Sequence, residues 1–458
     1  MHIDESSLEG TLKVLDSIIT KMLKLLGNGL EKHRIILCAG DQLTRSLLDK
    51  ASASCCDDSV LIDNVGHYTE GQLGPFHVKM AGDCMVVNEF WGDFGWVEIK
   101  NTATFLSNLE LIVCLTLPAH ILDGFWLFCP SERMEEWVAN VKDHSDISNI
   151  AKRILTELCS TQHVAELCHL PDAKRDIPHK NIQLFNRDSL ILLILKHAIK
   201  RGDIGSVINV LSHWMLMFRG TGKMPKYADA LFHLLSHLKH MDPHLCNAFL
   251  KNWLANLSDK VDGFKEMDLL QEHHNFWAKI IYNARSSNRN WEWLAMVMVS
   301  IFILRDVIQK VQQSYKIPFN STSHTSPSAN EDIKDLRDYL WDNNLQMYLP
   351  NCEHNDKATP ACDLLAEGAM YANMARTFKN FWQDTHKATN LGTAHGEKLF
   401  TEDPNTDLEE HADHDLGGDL DINVDDLALD EEEFPLGTDI ADLVAMTQEF
   451  VNELLQYD

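Results

Sequence analysis

Between Glu402 and Asp458 the chain carries 20 acidic residues and not one Lys or Arg. A segment so one-signed repels itself and offers little apolar surface, so a packed core has to be built from what precedes residue 390 or so. Residues 1–401 hold 48 acids against 40 bases, and an apolar content of 45% over the 458 residues is enough for two or three domains with a sizeable core. A mildly acidic body excludes a broad phosphate-binding face, which needs clustered Lys and Arg, and leaves room only for a local groove that takes nucleic acid. Eleven cysteines, an odd count without regular spacing, point to reduced thiols in an intracellular compartment. The start, Met1-His2-Ile3-Asp4-Glu5, has neither the basic nor the apolar character of an export signal, so secretion is not expected. No compact Lys/Arg import cluster separates a nuclear from a cytoplasmic location. The longest apolar run, Trp293 to Leu304, is twelve residues interrupted only by Ser300, short of the roughly 20 that span a bilayer, so no membrane association is expected.

Periodicity divides the chain. Residues 1–33 read as an amphipathic helix, with Leu8, Leu12, Leu15, Ile19, Met22 and Leu26 at helical spacing. Residues 34–104 read as a small α/β segment: Arg34 to Asp41 is an apolar, strand-forming run closed by a Gly-Asp turn, and Val60–Val65, Phe76–Met80 and Met85–Phe90 are weaker strand candidates. Residues 105–311 are helical, with apolar residues three or four apart over 111–117, 147–158, 190–198, 207–218, 228–238 and 268–282. A polar linker at 312–331 precedes a helical extension at 332–389. Residues 390–436 form the acidic tail, expected to be disordered, and 437–458 an amphipathic helix carrying Ile440, Leu443, Val444, Phe450, Val451, Leu454 and Leu455. The expected fold is mixed α/β but predominantly helical, with a small N-terminal sheet.

Five segments in order, Gly40-Asp41-Gln42-Leu43-Thr44, Gly74 to Met80, Arg201-Gly202-Asp203-Ile204-Gly205, Gly222 to Ala228 and Asn252-Trp253-Leu254-Ala255-Asn256, together with Asp268-Leu269-Leu270-Gln271-Glu272, resemble the landmarks of a domain family of unknown function from mushroom-forming fungi. The resemblance runs over about residues 34–385. Met224-Pro225 interrupts the tighter Gly-Lys-His-Lys-Tyr-Ala run usual in that family. The family in turn resembles transposon-derived proteins with a ribonuclease-H-like core, in which a strand ending in Asp presents the first of several metal-binding carboxylates. That likeness implies two Mg²⁺ ions polarising a phosphodiester, with Asp41 as first ligand and catalytic acid, His77 as ligand or general base, and Glu272 as a further carboxylate.

Each of these residues has a plainer reading. Asp41 also suits the N-cap of a helix starting at Gln42 or Leu43, His77 a backbone-bonded structural histidine, and Glu272 an exposed helical acid. Asp63 and Asp83 are alternatives for the second carboxylate, and Asp229 competes with Glu272. Asp203 reads as a structural turn and cap. Gly220-Thr221-Gly222-Lys223 lacks the spacing of a phosphate loop, with Met224 at the hydroxyl position, and reads as a turn between helices. Cys159 with Cys168 and His169, and Cys352 with His354 and Cys362, lack the two tight pairs of a structural zinc site. Two functions from different classes remain: metal-dependent nucleic-acid processing, or its inactive remnant, and a non-enzymatic scaffold in which residues 436–458 recruit a protein partner.

Overall fold

The computed structural model describes residues 7–19, 35–54, 69–90, 109, 111–130, 134–140, 143–282, short pieces between 300 and 315, and 329–374. The acidic tail, the helix expected at its end, the Val60–Val65 strand candidate and most of the polar linker lie outside them. After α1 (Leu8–Ser17), capped by the Ser7 hydroxyl, come two parallel strands, β1 (Ile36–Gly40) and β2 (Thr69–Leu73), paired from Ile36 opposite Thr69 to Gly40 opposite Leu73. A single residue separates each strand from the helix that follows it, Asp41 before α2 (Gln42–Ser54) and Gly74 before α3 (Pro75–Phe90). Two helix N-termini therefore open at the same sheet edge. The apolar face of α1 closes on this unit through Leu15, Ile19, Leu48, Ile36 and Cys38.

The Phe76–Met80 and Met85–Phe90 segments, expected as strands, both belong to α3. This helix is walled in on every side, with Phe76, Val78, Met80, Ala81, Cys84, Met85, Val86 and Val87 all buried. A helix buried all round loses its 3.6-residue signature, and its Val and Phe content then imitates a strand. Pro75 in the first turn, where a missing N–H costs nothing, favours the helix.

The rest is helical: a π-turn at Leu111–Thr116 leads into α4 (Leu117–Phe128), followed by α5 (Met134–Asn140), α6 (His144–Leu158), α7 (Thr161–Cys168), α8 (Ile177–Arg201), α9 (Ile204–Gly220), α10 (Pro225–His240) and α11 (Pro243–Lys251). An antiparallel hairpin, β3 (Leu254–Asn256) and β4 (Phe264–Glu266), leads to α12 (Met267–Tyr282), and α13 (Asn330–Asp342) and α14 (Leu364–Met374) complete the described elements. The turn between α8 and α9 is made as the sequence anticipates: Gly202 takes a left-handed φ of 72°, and Asp203 caps α9 through Ser206 N at 3.1 Å and Ser206 Oγ at 2.7 Å. Gly222, at φ 67°, turns the chain from α9 into α10.

The main core gathers α3, α8, α9, α10 and the ends of α11 and α14, with Trp214, Met217 and Phe218 of α9 fully enclosed. α14 lies within this core: Leu364 and Leu365 join it, and α9 and α14 meet backbone to backbone. A Cβ on Gly220 would fall 2.0 Å from the Leu364 carbonyl oxygen, and one on Gly368 would fall 1.8 Å from that of Leu216. Among the described residues Leu111–Phe128, of mean hydropathy 1.8, is long and apolar enough to cross a membrane. It packs against α6, α8 and α13, and it buries His120 and Asp123 along with Ile112, Val113, Leu117 and Ala119.

Candidate functional site at the carboxyl edge of the parallel strands

In a parallel unit the helices that follow the strands leave a crevice at the strands' carboxyl ends, and ligands of such sheets gather there. Here the edge is fixed by the backbone. Gly74 N donates to the Gly40 carbonyl at 2.8 Å, and the indole Nε1 of Trp253, buried at the start of the hairpin, donates to the Leu73 carbonyl at 2.7 Å. Gln72, also buried, donates through Nε2 to the Phe249 carbonyl at 2.8 Å. Between them these bonds leave little play in the two strand ends.

Asp41 stands where β1 becomes α2. Its Oδ1 accepts from Thr44 N at 2.7 Å and its carbonyl from Arg45 N at 3.0 Å, the geometry of an N-cap. The cap and the strand-end carboxylate are thus one residue, and the cap engages one of its two oxygens.

The second helix start is capped from far along the chain. Asp268, in the first turn of α12 and only 4% exposed in its side chain, accepts through Oδ1 from Phe76 N at 3.2 Å and through Oδ2 from His77 N at 3.1 Å. The same Oδ2 lies 3.0 Å from His77 Nδ1. Gly74 is what admits Asp268 so close, because a Cβ there would sit 2.2 Å from Oδ2. Glu272, half-buried, follows Asp268 by one turn on the same face of α12.

Burial alone would push the His77 imidazole down; the hydrogen bond and charge of Asp268, with Asp41 and Glu272 adding theirs, carry it above its ordinary value. Tyr227, near the start of α10, has its phenol pushed up, first by burial and then by Asp41 and Asp268. Asp41, His77, Tyr227, Asp268 and Glu272 therefore share one electrostatic environment, negative overall, at the sheet edge.

Of the residues expected at the site, His77 is bonded by Asp268, and Asp41 and Glu272 act on its ring through their charge. Asp268 was missed as a site residue. Its signal was the Asp268/Glu272 spacing of four, which places both carboxylates on one helical face. Asp83 is elsewhere in role: it is fully buried in α3, with neither carboxylate oxygen hydrogen-bonded. Asp229 is ion-paired with Arg219, and Asp63 lies outside the described residues. The nine described cysteines are free thiols. Among the described residues no three His, Cys, Asp or Glu side chains converge as a ready-made metal group.

Every site residue comes from a segment that carries the family resemblance: Asp41 from the first, Gly74 and His77 from the second, Tyr227 from the Gly222 to Ala228 run, Trp253 from the Asn252 to Asn256 run, and Asp268 and Glu272 from the last. No curated protein and no solved structure matches the chain. A family model described as a family of unknown function matches residues 1–324, about seven-tenths of the sequence, which takes in the whole site and stops short of α13 and α14. The chain belongs to that family of unknown function, DUF6589.

Proposed function

We propose that the crevice at the carboxyl ends of β1 and β2 is the reaction site of a divalent-cation-dependent, nucleic-acid-processing protein, built on a ribonuclease-H-like, transposon-derived core. The reading is supported by the place of Asp41 at the end of β1, of His77 in the helix that follows β2, and of Glu272 one turn beyond the Asp268 that caps that helix, the charges of Asp41 and Glu272 both acting on the His77 ring. The donors fit Mg²⁺ in kind, because carboxylate oxygens are its preferred ligands. Asp41 and Glu272 would hold the cation, whereas both oxygens of Asp268 are already occupied by N–H donors. Mg²⁺ keeps several waters and is commonly held by one or two carboxylates together with substrate phosphates. When bound, the ion would offset charge on a phosphodiester. His77 would exchange the proton. The mildly acidic body fits a substrate held in a local groove rather than over a broad face.

Asp41→Asn is the informative variant, since Asn caps a helix as well as Asp does but brings no charge to a cation. Mg²⁺- or Mn²⁺-supported cleavage or strand transfer of DNA or RNA should fall by at least about 100-fold, with a melting temperature within about 2 °C of wild type. A variant as active as the parent, or a parent inactive with both metals over a panel of single- and double-stranded substrates, would remove the reading.

A second reading rests on a separate observation, the 20 acids and interleaved apolar residues between Glu402 and Asp458. In it residues 436–458 dock an amphipathic helix into a basic, apolar-grooved protein partner. Deleting them should remove specific partners recovered with the full chain, and an unchanged set would dispose of the idea.

A further inference from the structure

We propose that Asp268 is the positioning residue of the site, holding the His77 ring with Nδ1 as hydrogen-bond donor so that Nε2 is the nitrogen that accepts a proton. The role assigned to that proton rests on the function proposed above, whereas the Asp268–His77 pair itself stands on geometry. Three donors meet two oxygens: Phe76 N at 3.2 Å on Oδ1, with His77 N at 3.1 Å and His77 Nδ1 at 3.0 Å on Oδ2. A carboxylate has no proton to give, so Nδ1 must be the donating nitrogen, and the neutral ring must then leave Nε2 unprotonated. The His77 backbone and side chain are gripped by the same oxygen, which fixes the ring's rotation as well as its tautomer. Gly74 leaves the space that this grip requires.

Capping alone does not account for the choice of residue. An N-cap needs an acceptor, and Asn, Ser or Thr would serve the two backbone N–H groups. What only a carboxylate adds is a second acceptor oxygen for the imidazole and a negative charge facing it when protonated. Besides Asp268, the charged groups that act on His77 among the described residues are Asp41 at the end of β1 and Glu272 on α12, and Tyr227 on α10 feels the same Asp41 and Asp268. In the hydrolytic step Nε2 takes a proton from water as the water oxygen bonds to phosphorus. The ester P–O bond breaks with its electron pair on the leaving oxygen, which is protonated by solvent, and the imidazolium returns its proton to solvent. Asp268 faces the imidazolium throughout and gains no proton itself.

The test is Asp268→Asn in the full chain, examined in two ways. With ¹⁵N-labelled histidine, the His77 signals being those lost in His77→Asn, the neutral ring of the wild type should show a protonated Nδ1 and a bare Nε2. The amide has one acceptor oxygen where the carboxylate had two; with that oxygen on Phe76 N its NH₂ replaces the acceptor that served His77 N and the ring, so the Nδ1-protonated tautomer should lose population in the variant. If cleavage is observed, kcat should fall about 100-fold with KM changed less than about twofold, and the acid limb of the pH profile should move to lower pH as the neighbouring charge is lost. An unchanged tautomer in Asp268→Asn, or an Nε2-protonated ring in the wild type, overturns the proposal. A chain with no nuclease activity removes the proposed function but leaves the tautomer measurement to decide the pair.

Discussion

Asp83→Asn is expected to make the protein more stable at pH 8 and to leave it nearly unchanged at pH 4. Asp83 is 0% exposed on the enclosed helix α3, and neither of its oxygens has a hydrogen-bond partner. Burial pushes its pKa up to about 8, against the pull of Lys79 one turn away, which is itself paired with Glu266. The folded-state pKa is therefore above the unfolded one. Between about pH 4 and pH 8 the native chain binds this proton and the unfolded chain does not, so stability present below pH 4 is lost as the pH rises through that window. A shift of about four units sets a ceiling near 5 kcal/mol, and relaxation around the charge brings the expected loss to about 2–4 kcal/mol. Asn keeps the shape without the ionisation, so the difference between variant and parent should grow steadily from pH 4 to pH 8 and then level off.

The comparison must be made pairwise because other buried groups also titrate. Asp123 is raised to about 7 by burial and destabilises in the same direction as Asp83. His120, lowered to about 4 by burial, and His213, lowered chiefly by burial, act on the other flank: each is held neutral in the fold, and the stability it contributes is lost as the pH falls below its unfolded value. Wild-type stability should accordingly peak between the two flanks. Urea unfolding of both proteins at pH 5, 6.5 and 8 isolates the Asp83 contribution, and a difference that does not vary with pH would contradict the assignment.

Asp83 also marks where sequence reasoning reaches and where it stops. The features that could be read were one-sided: α6, α9 and α10 each bury one face and carry the 3.6-residue repeat, and β1 ends in a Gly-Asp step whose carboxylate can cap or coordinate. Caps were legible for the same reason, since Asp41 and Asp203 act on residues three positions away. α3 was misread because it is buried on nearly every side, its partly exposed residues being few, so no clear period survives. Its partner strand β2, Thr-Glu-Gly-Gln-Leu, was passed over because its polar residues answer to distant groups: Gln72 bonds the Phe249 carbonyl, and the buried Arg45 guanidinium lies against the Gly71 carbonyl. Asp268 was missed as a site residue on similar grounds. It caps a helix 192 positions earlier, and no local pattern encodes that pairing.

The same long reach decides how α14 is held, and there the expected effect is largest. Arg187 on α8 is buried, with Nε 2.8 Å from Asp188 Oδ1 and Nη2 3.0 Å from Asp363 Oδ1. Asp363 is in turn the residue that starts α14, its Oδ1 accepting from Ala366 N at 3.2 Å. One cation thus neutralises two enclosed acids and ties the N-terminus of α14 to the middle of α8. Replacing Arg187 by Met preserves most of the packing volume but strands both carboxylates in a low-dielectric interior, which should cost about 3–5 kcal/mol. Because the guanidinium's main value is to cancel charge already buried, the triple variant Arg187→Met, Asp188→Asn, Asp363→Asn should recover much of that loss; the Asn at 363 still caps α14. Hydrogen exchange supplies the local readout. In Arg187→Met, protection should fall first in α14, whose N-terminus the guanidinium ties to α8 and which meets α9 at the close Gly220–Gly368 backbone approach. If Arg187→Met unfolds within about 1 kcal/mol of wild type, or if the triple variant is no more stable than the single one, charge cancellation is not what anchors this helix.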